Sequence, residues 1–306
     1  MSRVWINGDL VDAEAARVPL GDSGLLHAAG VFTTMRTDDG HVFRIADHLR
    51  RLRDSCQAFS IPLVYKDDAL AAAAIELLRA NELSDARLRL TVTRGVMRSD
   101  PLHGPQATPN VFITATGLEP YPAQWRQAGM TVVLVDEQKL NPHDVQAGHK
   151  TLNYLSRFAA LREAARRGSG EALWFDIQNR LQSGCISNVL LGKDGALVVP
   201  PTTAEIREKR LRQSMADARS CVLPGITRLA LLELAEKQGI KIIFSDVDIE
   251  MLLAADEVML CNSAMRLMPV CRIERHEVGS GRPGPLAEKL SNLLEAAALS
   301  SSSGAR

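Results

Sequence analysis

The chain has no excess of charge of either sign, because 36 Lys and Arg offset 36 Asp and Glu over 306 residues. No global field favours nucleic acid or an anionic membrane, so any anion has to be held by a local cluster. The five cysteines, Cys56, Cys185, Cys221, Cys261 and Cys271, are odd in number and form no CxxC pair. That pattern argues against a disulfide framework and for reduced thiols in a cytoplasmic protein. No apolar run approaches the length of a membrane span, and the N-terminus turns polar within a few residues, so a soluble chain with no membrane partner is expected. GxSxG, HExxH and Walker motifs are missing as well, which leaves the common hydrolase, zinc-protease and P-loop nucleotide readings without support. His143 and His149 bracket Lys150, but their spacing suits neither a helical nor a strand pair of metal ligands.

What is present is ordinary globular composition, 46% hydrophobic and 24% charged, in a chain long enough for two domains or one large one. Period-two runs predict strands at Val4 to Ile6, Gly30 to Arg36, His41 to Arg44, Ala86 to Arg94 and Asn110 to Thr116. Helical periods predict helices from Ala46 to Phe59 and from Asp68 to Ala80. In the run at 86–94, Arg87, Arg89 and Thr91 alternate with Leu88, Leu90 and Val92, which implies one solvated or site-facing surface. The segment GLEPYPAQWRQA has two prolines and no period. The expected organisation is therefore a small N-terminal α/β domain at 1–118, a linker at 119–128, a larger C-terminal domain at 129–299 and a disordered serine-rich tail at 300–306. The second half carries strands at Met130 to Val135, Ala172 to Phe175, Cys185 to Leu191, Ala196 to Val199, Ile240 to Phe244 and Glu257 to Cys261. Helices are expected from Thr227 to about Lys237 and from Ile249 to Leu253.

Three places could carry chemistry. Lys150 precedes an amphipathic helix whose apolar face is Tyr154, Phe158, Leu161 and Ala165, with Arg157, Arg162, Arg166 and Arg167 left to solvent and Gly168 as the stop. A lysine held at such a junction suits covalent catalysis through its amine, although the stretch by itself reads first as a solvated loop lysine. Gly225-Ile226-Thr227-Arg228 opens a helix with free amides and a hydroxyl, a ready anion site or simply a helix start. Asn262-Ser263-Ala264 follows a strand and adds a second hydroxyl at a strand's carboxyl end.

Taken in order, Asn7-Gly8, Asp22-Ser23-Gly24, Gly30-Val31-Phe32, Asp47 to Leu52 (DHLRRL), Lys150 to Tyr154 (KTLNY), Gly170 to Leu173 (GEAL), Gly225 to Arg228 (GITR), Ala255-Asp256-Glu257 and Pro269-Val270 make the chain resemble the class IV pyridoxal-phosphate enzymes. These are the branched-chain and D-amino-acid aminotransferases and aminodeoxychorismate lyase. The resemblance spans nearly the whole chain and implies the fold type IV, D-amino-acid-aminotransferase-like α/β fold and a homodimer. It also implies pyridoxal 5'-phosphate as cofactor and a small substrate, an amino acid or an amino-chorismate. By the same resemblance Lys150 is the Schiff-base lysine and general acid and base, and Arg51 binds the phosphate. Ile226, Thr227 and Ser263 complete the phosphate cradle, and Tyr154 lies near the cofactor's phenolic oxygen.

One position departs from that pattern. Matching Asp176 and Asn188 to the family puts Ser183 where a glutamate normally pairs with the cofactor's ring nitrogen. A hydroxyl hydrogen-bonds a neutral pyridine but does not hold a pyridinium as an anion does, so a weaker electron sink is expected, with a tilt from transamination to elimination. Cys-Asn-x-x-Met at 261–265 and Phe32-Thr33-Thr34 lean toward the lyase. Tyr154 and the Ala28-Ala29 pair lean away from it. The leading expectation is thus a lyase that eliminates pyruvate. Its alternatives are a branched-chain or D-amino-acid aminotransferase, and a divergent member with altered or lost activity that serves in binding. For the substrate's acid group the candidates are Arg94, Arg98, Arg180 and Arg266.

Overall fold

The computed structural model describes residues 2–96, 108–135, 138–212 and 217–303. The chain divides into two compact units, one of Met1–Glu119, His149–Asn153 and Ala298–Arg306, the other of Pro120–Gly148 and Tyr154–Ala297. The Lys150 segment thus groups with the first unit, where the sequence placed it in the larger second domain.

In the first unit the alternation of apolar and polar residues produces six strands: β1 (Arg3–Ile6), β2 (Asp9–Asp12), β3 (Gly30–Asp38), β4 (His41–Val42), β5 (Ala86–Thr93) and β6 (Val111–Gly117). They form one antiparallel sheet in the order β2-β1-β6-β5-β3-β4. Helices α1 (Ser23–His27), α2 (Ile45–Ala58) and α3 (Asp67–Ala80) complete the unit. One face of the sheet, with Met35, Leu88, Leu90 and Val92, buries against Leu49, Leu52 and Cys56 of α2 and Leu70 and Leu77 of α3. Each such leucine contributes roughly 2 kcal/mol by leaving water. The strand expected at 41–44 is short because Arg44 turns left-handed, φ 52°, to open α2.

The second unit holds α4 (Ala123–Ala128), β7 (Met130–Leu134), α5 (Leu155–Arg166), β8 (Glu171–Phe175), β9 (Leu181–Gly184), β10 (Asn188–Lys193), β11 (Ala196–Val199) and α6 (Thr203–Glu208). It continues through α7 (Ile226–Lys237), β12 (Ile242–Phe244), α8 (Ile249–Leu253), β13 (Glu257–Asn262), β14 (Arg266–Ile273), β15 (His276–Glu277) and α9 (Pro285–Ser303), whose residues from Ala298 on count with the first unit. Its mixed sheet runs β12-β11-β10-β13-β14-β7-β8-β9, with β15 paired to β14. The β7–α5–β8 passage joins two parallel neighbours, which need such a crossover.

Several expectations are corrected here. The linker carries a helical turn, α4, despite its prolines, which precede the turn rather than interrupt it. The serine-rich tail is helical to Ser303 as the end of α9, and 304–306 lie outside the described residues. On α5 the covered face is Arg157, Ala160, Leu161 and Ala164, whereas Phe158 is 59% exposed. Among the described residues no helix is long and apolar enough to cross a membrane.

Candidate active site

Lys150 does not stand at a helix start. Its carbonyl accepts from the Phe32 amide at 2.9 Å, the Leu152 amide donates to the Gly30 carbonyl at 3.0 Å, and Thr151 bridges Val31. The segment thus makes a single antiparallel bridge to the start of β3, outside any strand, and α5 begins only at Leu155. Gly30 is required there, because a Cβ would sit 2.7 Å from both a Leu152 methyl and the Val92 carbonyl. The Lys150 Nζ lies 4.6 Å from the centre of the buried Phe32 ring, on which the Arg89 guanidinium also stacks at 3.5 Å.

Next along β3, Thr33 is fully buried. Its hydroxyl accepts from Arg51 at 3.0 Å and contacts the His48 Nδ1 at 2.8 Å. Arg51 and His48 lie three residues apart on α2, so they share a helical face. Burial, followed by the positive charges of Arg51 and Lys150, holds the His48 pKa well below its ordinary value. The imidazole is therefore neutral and serves as a hydrogen-bonding prop for the Thr33–Arg51 pair. His149 is occupied on α2 too, through Ser55 at 3.0 Å and the edge of Phe59.

In the second unit the site residues gather around Asn188. Its Nδ2 donates to the Leu223 carbonyl at 2.9 Å, and a Cβ on Gly225 would lie 1.9 Å from its Oδ1, so only glycine fits at the N-cap of α7. Gly225 brings no side chain to cap this helix, which leaves the first-turn amides at Ile226 and Thr227 to an acceptor from elsewhere. Asn188 also pairs with Cys261 on β13, the strand that ends one residue before Ser263. Gly225 to Thr227 and Ser263 are therefore brought to one end of the same sheet. The α7 start is braced from below. Arg228, 3% exposed, donates to both carboxylate oxygens of Glu205 at 2.8 Å, and Glu205 forms a capping box with Thr202.

Ser183 lies on β9 opposite Trp174, is 5% exposed, and its Oγ has no hydrogen-bond partner among the described residues. Tyr154 holds the N-cap position of α5 with its ring against Phe158. Two of the arginines named for an acid group are committed elsewhere: Arg180 pairs with Asp176 and Asp246, and Arg266 with Glu295. Arg94, which makes no ion pair with a described residue, stays a candidate, and Arg98 lies outside the described residues. Arg89, which the alternation placed on the site-facing or solvated side of β5, is the cation the arginine candidates omitted. The signal that finds it is its register opposite Thr34, two residues along β3 from Phe32.

Residues 30–273 match the family model described as amino-transferase class IV. A putative branched-chain-amino-acid aminotransferase of Methanocaldococcus jannaschii is 30% identical over 290 residues, which is 94% of this chain and 93% of that one. Among solved structures, the branched-chain amino acid aminotransferase of Escherichia coli superposes with a TM-score of 0.84 at 29% identity, covering 95% of this chain and 92% of that chain. The 4-amino-4-deoxychorismate lyase of Pseudomonas aeruginosa superposes with a TM-score of 0.79, also at 29% identity, covering 96% and 98%.

Proposed function

The chain belongs to the class IV amino-transferase family of pyridoxal-phosphate enzymes, and we propose that within it the chain is a lyase resembling aminodeoxychorismate lyase, releasing pyruvate from an amine of amino-chorismate type. Two features of the residues fit the cofactor. The uncapped α7 start, bared by Gly225, suits a phosphate, and the orphaned Ser183 hydroxyl suits a ring nitrogen that accepts one hydrogen bond.

When bound, pyridoxal phosphate supplies an electron-accepting ring conjugated to the carbon that bears the substrate's nitrogen. Lys150 would hold that group through its amine, and its Nζ would move the proton in the reaction. The Ile226 and Thr227 amides and the Ser263 hydroxyl would hold the phosphate, and Arg51, hydrogen-bonded to Thr33, is proposed as a phosphate ligand on the resemblance alone. Tyr154 would lie near the phenolic oxygen. Arg89, sharing the Phe32 ring with Lys150, replaces Arg180 and Arg266 as the choice for a substrate carboxylate.

The observation that carries the lyase reading is Ser183. A neutral hydroxyl there leaves the ring a weaker electron sink than a carboxylate does, which favours expelling a good leaving group over completing an amino transfer. The second reading, an aminotransferase, is favoured by the branched-chain relatives. A product assay separates the two. Pyruvate and 4-aminobenzoate formed with no keto-acid acceptor support the lyase, and strict dependence on an acceptor supports the aminotransferase. A homodimer and a cytoplasmic location belong to the same proposal. The second is supported by five free, buried thiols, and sedimentation of the purified protein tests the first.

A further inference from the structure

Arg157 and Glu171 approach one short loop from opposite sides. Arg157, on α5, donates to the Gly184 carbonyl at 3.1 Å and the Cys185 carbonyl at 2.8 Å. Glu171, on β8 and 2% exposed, accepts from the Cys185 amide at 2.9 Å, the Ile186 amide at 3.3 Å and the Ser187 hydroxyl at 3.0 Å. The peptide groups 184–185 and 185–186 therefore both point their carbonyls at a guanidinium and their N–H groups at a carboxylate. Two peptide dipoles are aligned between a cation and an anion, an arrangement that resists rotation of either plane. Gly184 permits the approach, since a Cβ there would lie 2.3 Å from the Ser187 Oγ and 3.0 Å from the Glu171 Cδ.

The loop is bounded by Ser183 and Asn188. A mobile loop would offer the Ser183 hydroxyl carbonyls to bond, yet the carbonyls of 184 and 185 are taken by Arg157 and the carboxylate by three loop donors and the Ala172 amide. Ser183 Oγ is left buried with no partner among the described residues, a state that costs free energy unless a ligand supplies the acceptor. Burying a carboxylate that has no ion pair among the described residues is costly too, and desolvation raises the Glu171 pKa. Nothing in the proposed reaction uses Glu171 directly.

We propose that Arg157 and Glu171 are positioning residues, a charged clamp that fixes the 184–187 loop so that the Ser183 hydroxyl is withheld from the protein and presented to the cofactor's ring nitrogen. The inference rests on the functional reading above and adds to it two residues that touch neither substrate nor cofactor. Arg157 also stands 5.7 Å from the Tyr154 ring, so the clamp joins the loop to the start of α5.

The test compares wild type, Arg157→Met, Arg157→Lys, Glu171→Gln and Ser183→Ala, each saturated with pyridoxal phosphate. The pH midpoint of the bound cofactor's visible absorption band is read for each. The clamp predicts that Arg157→Met and Glu171→Gln shift this midpoint in the same direction as Ser183→Ala, although both retain the serine, and that Arg157→Lys restores most of it. Without cofactor, hydrogen exchange at the Cys185 and Ile186 amides should quicken about tenfold in Arg157→Met. If Glu171→Gln does not fold, Arg157→Met decides alone. Midpoints equal to wild type in the clamp variants, with a shift in Ser183→Ala, overturn the clamp and leave the functional reading standing. A wild type that takes up no cofactor overturns that reading, and the clamp's purpose with it.

Discussion

The Phe32 amide holds the Lys150 carbonyl at 2.9 Å, while its ring lies 4.6 Å from the Lys150 Nζ. One residue thus fixes both ends of the lysine, backbone by hydrogen bond and ammonium by the ring face. Arg89 stacks on the same ring at 3.5 Å. A double-mutant cycle of Phe32→Leu and Arg89→Met, read by urea unfolding, should give a coupling of about 1 kcal/mol. Phe32→Leu alone should cost about 1 kcal/mol, since it retains the backbone bond and most of the volume. A coupling of zero would show that the stacking contributes nothing.

His48 makes stability depend on pH. Its folded pKa is depressed by burial and by Arg51 and Lys150, whereas the unfolded chain takes up the proton near the ordinary value of about 6.5. As pH falls below that value the unfolded state binds a proton that the folded state refuses, so stability drops by up to about 1.4 kcal/mol per pH unit. His48→Asn keeps an acceptor for Thr33 without the titration. Its stability, measured between pH 7 and pH 5, should fall less than that of wild type; parallel curves would place the proton elsewhere.

The thiols should be silent in the native state. Burial pushes Cys56, Cys185, Cys221 and Cys261 up to about 12, and Cys271 to about 11. A disulfide reagent such as DTNB at pH 8 should therefore label none of the five rapidly in folded protein and all five in urea. Fast labelling of any one before unfolding would show that thiol to be open to solvent.

Changing Ser183 to glutamate should move the chemistry. A carboxylate opposite a ring nitrogen holds it protonated, so Ser183→Glu should raise acceptor-dependent amino transfer and lower acceptor-independent pyruvate release, each by about tenfold or more. Unchanged partition between the two products would show that Ser183 does not face the ring.

Local pattern made much of this legible. The alternation in β5, the helical periods of α2 and α3 and the Gly225 helix start all read directly from residue order, because each depends on near neighbours. What stayed hidden depended on partners far along the chain. Lys150 reads as a helix start, yet its carbonyl is bonded to Phe32 at the start of β3, 118 positions away, and no periodicity encodes that pairing. Arg157 reads as solvent-facing because it is charged, whereas the carbonyls of Gly184 and Cys185 claim it. β14 does not read as a strand, because Pro269 in its middle has no backbone donor.

Reduction of the cofactor-saturated protein with borohydride, followed by peptide mapping, tests the central claim most directly. The pyridoxyl label should be found on Lys150, and Lys150→Ala should take up none while unfolding within about 1 kcal/mol of wild type, because the bonds to Phe32 and Gly30 are made by backbone. A label on another lysine, or none on the wild type, would contradict the account.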